Sequence, residues 1–514
     1  MKASVRSRRH NDNIARSRLA ARRLMLGLSL ALACQYALAQ AMYRIKPLGS
    51  VGGCSSPAPV AQGMNAAGQV TGWACNGHAF LWKNDGKPMV DLGPDEVGSV
   101  SYGLALNASG MVTGEAQDST GPFAFVSSGD GTPMTRIYDS LNGTNDVTEG
   151  YAINDLGQVT GEAGGAVFLW RNNGSPIVDL GGPGIGGSGY DINASGQVTG
   201  YAQMPGDLEP HAFVWKNDGK GMLDLGTLGG RRSVAFYINA SGQVAGHSKV
   251  PGKGGGRYHA FLWRNDGTPM LDLGTLGGAQ SFANGLNDSG QIVGGSYTHG
   301  NIHAFVWLND GSRMKDLGTF GGSSSFADDV NSSGQVTGDA DLAGDNVSHA
   351  FLWRNDGTKI QDLNALIDPT DPLKPYVVLT NGHFINDRGD VLAEGTESRT
   401  GASGLYLLQG TVLTLTPRSL AFGNQPINTT SAAKSVTVTN TSPKVVAITS
   451  IKLAGTSAGQ FTQTNNCGSS LVGHATCTIN VKFKPTTKGA KSATLSVNGG
   501  GGGLRVVILS GTGS

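Results

Sequence analysis

Five histidines, His78, His211, His259, His303 and His349, each stand directly before Ala-Phe in this 514-residue sequence. Imidazole is a common metal ligand, and metal ligands must converge within about 2 Å of one ion. These five are separated by whole sequence repeats, Phe123, Ala166 and Gly404 fill the same place elsewhere, and equivalent places on repeats of a ring lie far apart. The spacing therefore predicts a scaffold role and no metal. Asp339-Ala-Asp341-Leu-Ala-Gly-Asp345 resembles a calcium loop but lacks the longer Asp/Asn ladder and the closing Glu. Asp339 and Asp341 are also the carboxylates that could act as acid and base on a polysaccharide, a chemistry needing two carboxyls at roughly 5 to 9.5 Å with one pKa raised. No Gly-X-Ser-X-Gly, His-Glu-X-X-His or phosphate loop occurs, so no catalytic residue and no cofactor is assigned.

The residues that must position any site belong to a unit repeated eight times between Met42 and Leu413. One half reads Ile-Asn-Ala-Ser-Gly-Gln-Val-Thr-Gly, with its asparagine at Asn65, Asn107, Asn154, Asn193, Asn239, Asn287, Asn331 and Asn386. The other reads His-Ala-Phe-Leu-Trp…Asp-Leu-Gly, and six of the seven tryptophans occupy its fifth place. In the fifth unit Val234–Ile238, Gln243–His247, His259–Trp263 and Pro269–Gly274 are short apolar runs bounded by turn residues, which predicts four strands. Asn239-Ala-Ser-Gly242 and Asn265-Asp-Gly267 read as hairpins whose glycines supply a left-handed conformation. Four antiparallel strands in 40 to 45 residues is the span of a propeller blade. Tyr43–Gly49 matches only the last strand of a unit, and the eighth unit weakens after Leu408. A ring closed by the N-terminal strand accounts for both, with Thr411–Leu415 as the competing candidate.

Residues 1–39 read as an export signal: a basic stretch ending at Arg22-Arg23, an apolar run from Leu24 to Ala33, and Ala37-Leu-Ala39 before a cut. The apolar run is too short to span a membrane. Removing it leaves Cys54, Cys75, Cys467 and Cys477, an even count that favours two disulfides, most simply between sequence neighbours. Residues 40–413 hold 21 Lys/Arg against 36 Asp/Glu, a net −15, whereas 414–514 hold nine Lys/Arg and no acid. That basic tail contains short strands such as Lys434–Thr439 and Thr476–Phe483 and reads as a β-sandwich. The expectation is an all-β chain with an eight-bladed β-propeller at 40–413 and an immunoglobulin-like β-sandwich at 414–514.

The His-Ala-Phe units resemble bacterial HAF-repeat extracellular proteins over nearly all of residues 43–408. The tail, with Leu420-Ala-Phe422, Cys467-Gly468, Cys477 and Val481-Lys-Phe-Lys-Pro485, is similar to the immunoglobulin-like domain of abnormal-spindle and Hydin proteins and to the bacterial choice-of-anchor D domain. The resemblance implies an extracellular repeat protein and brings no established activity.

Asn107, Asn193, Asn239, Asn287 and Asn331 head Asn-X-Ser sequons, but they fit hairpin turns better than glycosylation. The two hairpins of each unit are short and uniform while the opposite loops vary, and variable loops on a rigid scaffold are where binding evolves. Arg231, Arg232, Lys249, Arg257, Tyr258, Tyr297 and His299 lie on that face. The expected function is an exported, non-catalytic scaffold for binding or adhesion, secreted, at the cell surface or periplasmic, with a glycan or protein ligand. The basic tail would hold an anionic envelope surface, and no nucleic acid is involved. The alternatives are a secreted enzyme acting on polysaccharide and a purely structural surface protein.

Overall fold

The computed structural model describes Tyr43–Ser514 apart from residues 52–57, 94–98, 120, 139–147, 182–185, 207–208, 253–256, 356–357, 411–412, 418, 441–444 and 500–502. The expected export segment, residues 1–39, and Cys54 lie outside the described residues; Cys75 is disulfide-bonded. The described chain forms two compact units, one spanning Tyr43–Gly410 and one running to Ser514.

The first unit contains eight four-stranded antiparallel sheets in chain order. The fifth is typical: Ser233–Ile238, Val244–Lys249, Tyr258–Trp263 and Leu271–Asp272. The fourth strand is shorter than expected from the sequence because only two of its residues pair with the third. In the hairpin before it, Asn265 itself is left-handed (φ 58°) along with Gly267 (φ 85°), so the turn uses both residues. The third strand shows why the repeat needs Ala-Phe-Leu-Trp. Phe261 and Trp263 pack on Ala212 and Val214 of the fourth sheet, while Ala260 and Leu262 pack on Ile292, Phe305 and Trp307 of the sixth. Strand alternation thus sends the large aromatic pair to one neighbour and the smaller aliphatic pair to the other, and all four residues are buried. A cation from the preceding sheet lies over several of the tryptophans: Arg171 over Trp215, Lys216 over Trp263 and Arg264 over Trp307. The same cations donate to the left-handed asparagines Asn217, Asn265 and Asn309.

The array closes on itself. Phe80 and Trp82 of the first sheet pack on Leu392, Leu405 and Leu407 of the eighth. The first strands of neighbouring sheets approach one another all round, including Val60–Met64 against Val377–Ile385, so they line a central axis in propeller-like fashion. Tyr43–Pro47 is the fourth strand of the eighth sheet, pairing antiparallel with Ala402–Gly410. The competing candidate goes elsewhere: Leu413–Thr416 pairs with Lys434–Asn440 in the C-terminal unit, which therefore takes in Leu413.

The repeat asparagines tie the sheets together. Each Oδ1 folds back onto its own turn, as Asn239 does by accepting from Ser241 N and Gln243 N. The Nδ2 of the first seven reaches the next repeat: Asn65 donates to Asn107 O, and the pattern continues through Asn154, Asn193, Asn239, Asn287 and Asn331 to Asn386 O, at 2.9–3.1 Å, whereas Asn386 Nδ2 donates to Asp390 in its own turn.

In the C-terminal unit a four-stranded and a five-stranded sheet enclose a core of Val436, Val438, Phe461, Ile479, Val481, Phe483, Leu495 and Val507. Cys467 and Cys477 are joined inside it. Of the nine basic residues, Arg505 is buried and donates to Leu413 O, so it takes no part in a surface field.

Candidate functional site on the inner strands

Each first strand carries a β-bulge that leaves one residue without a partner across the ladder. The bulged residues are Gln62, Leu104, Tyr151, Tyr190, Phe236, Asn284, Asp328 and, in the eighth sheet, Thr380 and His383. A bulge re-aims its side chain, and here it does so beside the axis. The glycine of Val-Thr-Gly, present in sheets one to seven and replaced by Ala393 in the eighth, makes room for it. A Cβ on Gly246 would lie 2.0 Å from Val234 O, a contact no side chain could take. The residue after that place meets the bulge from the second strand: Trp73, Glu115, Glu162, Tyr201, His247, Gly295, Asp339 and Glu394. It lies toward the variable-loop end of the second strand, which runs from the asparagine hairpin to the variable loop.

On sheets three to five several of these residues form an aromatic arc, extended by Tyr258 of the fifth sheet and Phe282 of the sixth. Tyr151 meets Tyr190 edge-on at 5.4 Å, Tyr190 stacks on Phe236 at 5.3 Å, and His247 lies among Phe236, Tyr258 and Phe282 at 5.0–5.5 Å. All are half-buried. Polar groups border the rings: the Tyr151 hydroxyl donates to Glu149, the Ser188 hydroxyl to Glu162, and Tyr190 and Tyr201 share a hydrogen bond. Burial pushes the Tyr190 phenol up to about 12, and burial with the Arg232 charge pulls His247 down to about 4. Its Nδ1 is buried without a hydrogen-bond partner among the described residues.

Sheets seven and eight present a different chemistry. Asp328, Asp339, Asn381, His383 and Glu394 come together, with His383 Nε2 3.6 Å from Glu394 Oε2 and Asn381 bonded to Asp328. Burial raises Asp328. Asp339 is pushed up to about 7, by burial first and then by Asp328 and Asp341. Asp341 itself accepts from Ser348 Oγ and Ser324 N and anchors the adjoining loop. An acid with a higher pKa folded than unfolded supports folding below its ordinary pKa and opposes it as pH rises through about 4 to 7. Asp339→Asn should therefore raise stability at pH 8 by on the order of 2 kcal/mol, about half the full linkage value because the site is partly wet. Near pH 4 the two proteins should unfold alike. Urea titrations at both pH values check this; equal stabilities at pH 8 would contradict it.

Of the loop residues expected from the sequence, the structure brings Arg231, Arg232 and Lys249 around Glu209. Lys249 Nζ is 2.8 Å from Glu209 Oε2 and lies over the Tyr258 ring at 5.9 Å. Arg257 is exposed beyond Tyr258. Tyr297 and His299 sit at the matching place in the sixth sheet, exposed, with His299 over Gly277, and they do not join the Glu209 cluster. The repeated histidines each bind the aspartate thirteen residues on through Nδ1: His78 to Asp91, His211 to Asp224, His259 to Asp272, His303 to Asp316 and His349 to Asp362. Among the described residues no group of three or more His, Cys, Asp or Glu is placed to hold a metal ion. Tyr190, Tyr201, Phe236, His247 and Phe282 were not legible as site residues because they lie in strands. Variation at one place inside an otherwise uniform motif, the residue after Val-Thr-Gly, could have found Tyr201 and His247; Tyr190, Phe236 and Phe282 lie on first strands and carry no such signal.

Residues 411–503 match the family model of the abnormal spindle-like microcephaly-associated, ASPM-SPD-2-Hydin (ASH) domain. No curated protein matches the sequence. Among solved structures, the chain is similar to the ASH/PapD-like domain 7 of human CEP192, at 15% identity and a TM-score of 0.16, over 20% of this chain and 86% of that one. It is also similar to a putative TolB from Agrobacterium tumefaciens, at 12% identity and a TM-score of 0.32, over 53% and 92%. A third is the β-propeller domain of the trilobed protease from Pyrococcus furiosus, at 10% identity and a TM-score of 0.35, over 64% and 100%. The chain thus combines a propeller-like ring of four-stranded sheets with an immunoglobulin-like ASH domain. No helix among the described residues is long and apolar enough to cross a membrane.

Proposed function

We propose that this protein is an exported, non-catalytic eight-bladed propeller that binds a glycan at the variable-loop end of its axis, held at an anionic envelope surface by its basic ASH domain. The observation that carries the reading is the half-buried aromatic arc of Tyr151, Tyr190, Tyr201, Phe236, Tyr258 and Phe282, bordered by hydroxyls and carboxylates. Rings with few, well-placed polar groups suit a saccharide, which offers an apolar ring face and hydroxyls at its edge. The unpartnered Nδ1 of His247 and Oδ1 of Asn381 are groups that a hydroxyl-bearing ligand would satisfy. A glycan array probed with the mature chain, followed by calorimetric titration of the hits, tests the reading. Tyr190→Ala should weaken binding about tenfold or more while leaving the fold intact, and an array on which nothing binds would defeat the proposal.

Attachment rests on charge. Lys434, Lys452, Lys482, Lys484 and Lys488 are exposed on a domain without one acidic residue. The full mature chain should bind anionic lipid vesicles at low salt and release as the Debye length falls toward about 3 Å near 1 M. Binding that ignores salt would refute the electrostatic tether.

A further inference from the structure

The three cations at the corner of the fourth and fifth sheets are out of keeping with their surroundings. Residues 40–413 carry a net −15, yet Arg231, Arg232 and Lys249 gather beside the aromatic arc with Glu209 as their carboxylate neighbour. The turn before them is built to put them there. Gly229 has φ 92°, and Gly230 donates its N–H to Lys249 O with so little space that a Cβ would lie 2.4 Å from that oxygen. The next two residues, Arg231 and Arg232, are thereby set against the end of Val244–Lys249.

The Glu209 carboxyl marks the point on which the cations converge. The Lys249 hydrogen bond, and then the Arg232 and Arg231 charges, hold it below the usual carboxylate range. Lys249 alone bonds to it, at 2.8 Å. The Arg231 and Arg232 guanidinium groups make no side-chain hydrogen bond or ion pair among the described residues, so two planar forks that match a carboxylate are left open. Arg232 O accepts from Lys249 N, Lys249 lies over the Tyr258 ring, and Tyr258 meets His247 edge-on beside Phe236, so the basic corner adjoins the arc; the Arg232 charge acts on Tyr190 and His247 as well.

We infer that the ligand is an acidic saccharide, its sugar ring lying on the Tyr190–Phe236 platform and its uronic carboxylate held by Arg231 and Arg232. This rests on the glycan-binding reading and narrows it to one class. A neutral sugar would use the rings and leave both forks idle, whereas an anion without a sugar ring would leave the arc idle. Lys249, already neutralised by Glu209, shapes the site without adding net charge.

The test compares oligogalacturonate with its methyl ester, which has the same skeleton without the charge, by calorimetric titration against the mature full-length chain. The acid should bind about tenfold more tightly than the ester at low salt, and the gap should narrow at high salt. In Arg231→Gln/Arg232→Gln the acid should fall to the level of the ester while ester binding persists. Tyr190→Ala should weaken both ligands together. Equal binding of acid and ester to the unmodified chain overturns the inference and leaves the glycan reading standing, a comparison that needs no variant to fold. Failure of both ligands, with no glycan of either kind bound on an array, overturns both.

Discussion

Removal of Tyr43–Pro47 is expected to cost the repeat ring on the order of 5 kcal/mol and to make the truncated chain prone to self-association. The estimate follows from what this strand buries. Tyr43 and Ile45 are at most 8% exposed and pack with Val377, Leu379, Tyr406 and Leu408, and each buried side chain of this size contributes about 1.5–3 kcal/mol. The polar losses add to this. Tyr43 donates its hydroxyl to Gly389 O, its backbone bonds to Leu366 O and Asp368 N, and Ile45 N donates to an oxygen of the buried Asp371. Deletion also strips the pairing partner from Ala402–Gly410, and an unpaired edge strand is a template for another chain. Urea unfolding and light scattering of chains with and without Tyr43–Pro47 measure both effects. If the truncated protein unfolds at the same midpoint and stays monodisperse, the N-terminal strand does not close the ring.

Replacing one asparagine of the inter-sheet series should have the next largest effect. Asn239 is buried; its Oδ1 accepts from Ser241 N and Gln243 N, and its Nδ2 donates to Gln243 Oε1 and Asn287 O. Asn239→Ala leaves several of these partners unsatisfied, at about 1–3 kcal/mol for each group that water cannot reach, so a loss of roughly 3 kcal/mol or more is expected. Asn239→Asp separates the two roles of the side chain. The carboxylate keeps the acceptor for the turn but cannot donate to Asn287 O, and burial raises its pKa. Its deficit should therefore be small near pH 4, where the proton is retained, and should grow as pH rises. A pH-independent deficit for the Asp variant would show that the turn alone, and not the tie to the next sheet, sets the cost.

Much of this architecture was legible because repetition imposes the same physics eight times. The four short apolar runs per unit and the glycine and asparagine turns each have one economical reading; the closing strand had two, Tyr43–Gly49 and Thr411–Leu415, and pairing with Ala402–Gly410 falls to the first. In the tail Leu413–Thr416 was legible as a strand but not as part of this unit, and Phe461–Asn465 and Ser470–Leu471 were hidden: they are short or carry little apolar alternation and exist because neighbouring strands offer them a ladder. Asn239 was legible as a turn residue and illegible as a tie, because its second partner lies 48 residues away.

For the site the division is sharper. Composition and loop variability pointed to the variable-loop end of the ring and to Arg231, Arg232, Lys249 and Tyr258, because charge and loop length are local properties. That these surround Glu209, while Tyr297 and His299 stand apart, depends on which sheets face each other. The aromatic arc was decided by tertiary structure alone. A bulge that turns Tyr190 and Phe236 toward a common axis exists only once Val-Thr-Gly of the second strand has closed against the first, and neighbouring rings meet only when successive sheets have packed. Sequence thus determined the unit and its number, since these follow from local periodicity and turn chemistry. Convergence of side chains from different units belongs to the folded ring, because it is a matter of distance between residues the chain keeps far apart.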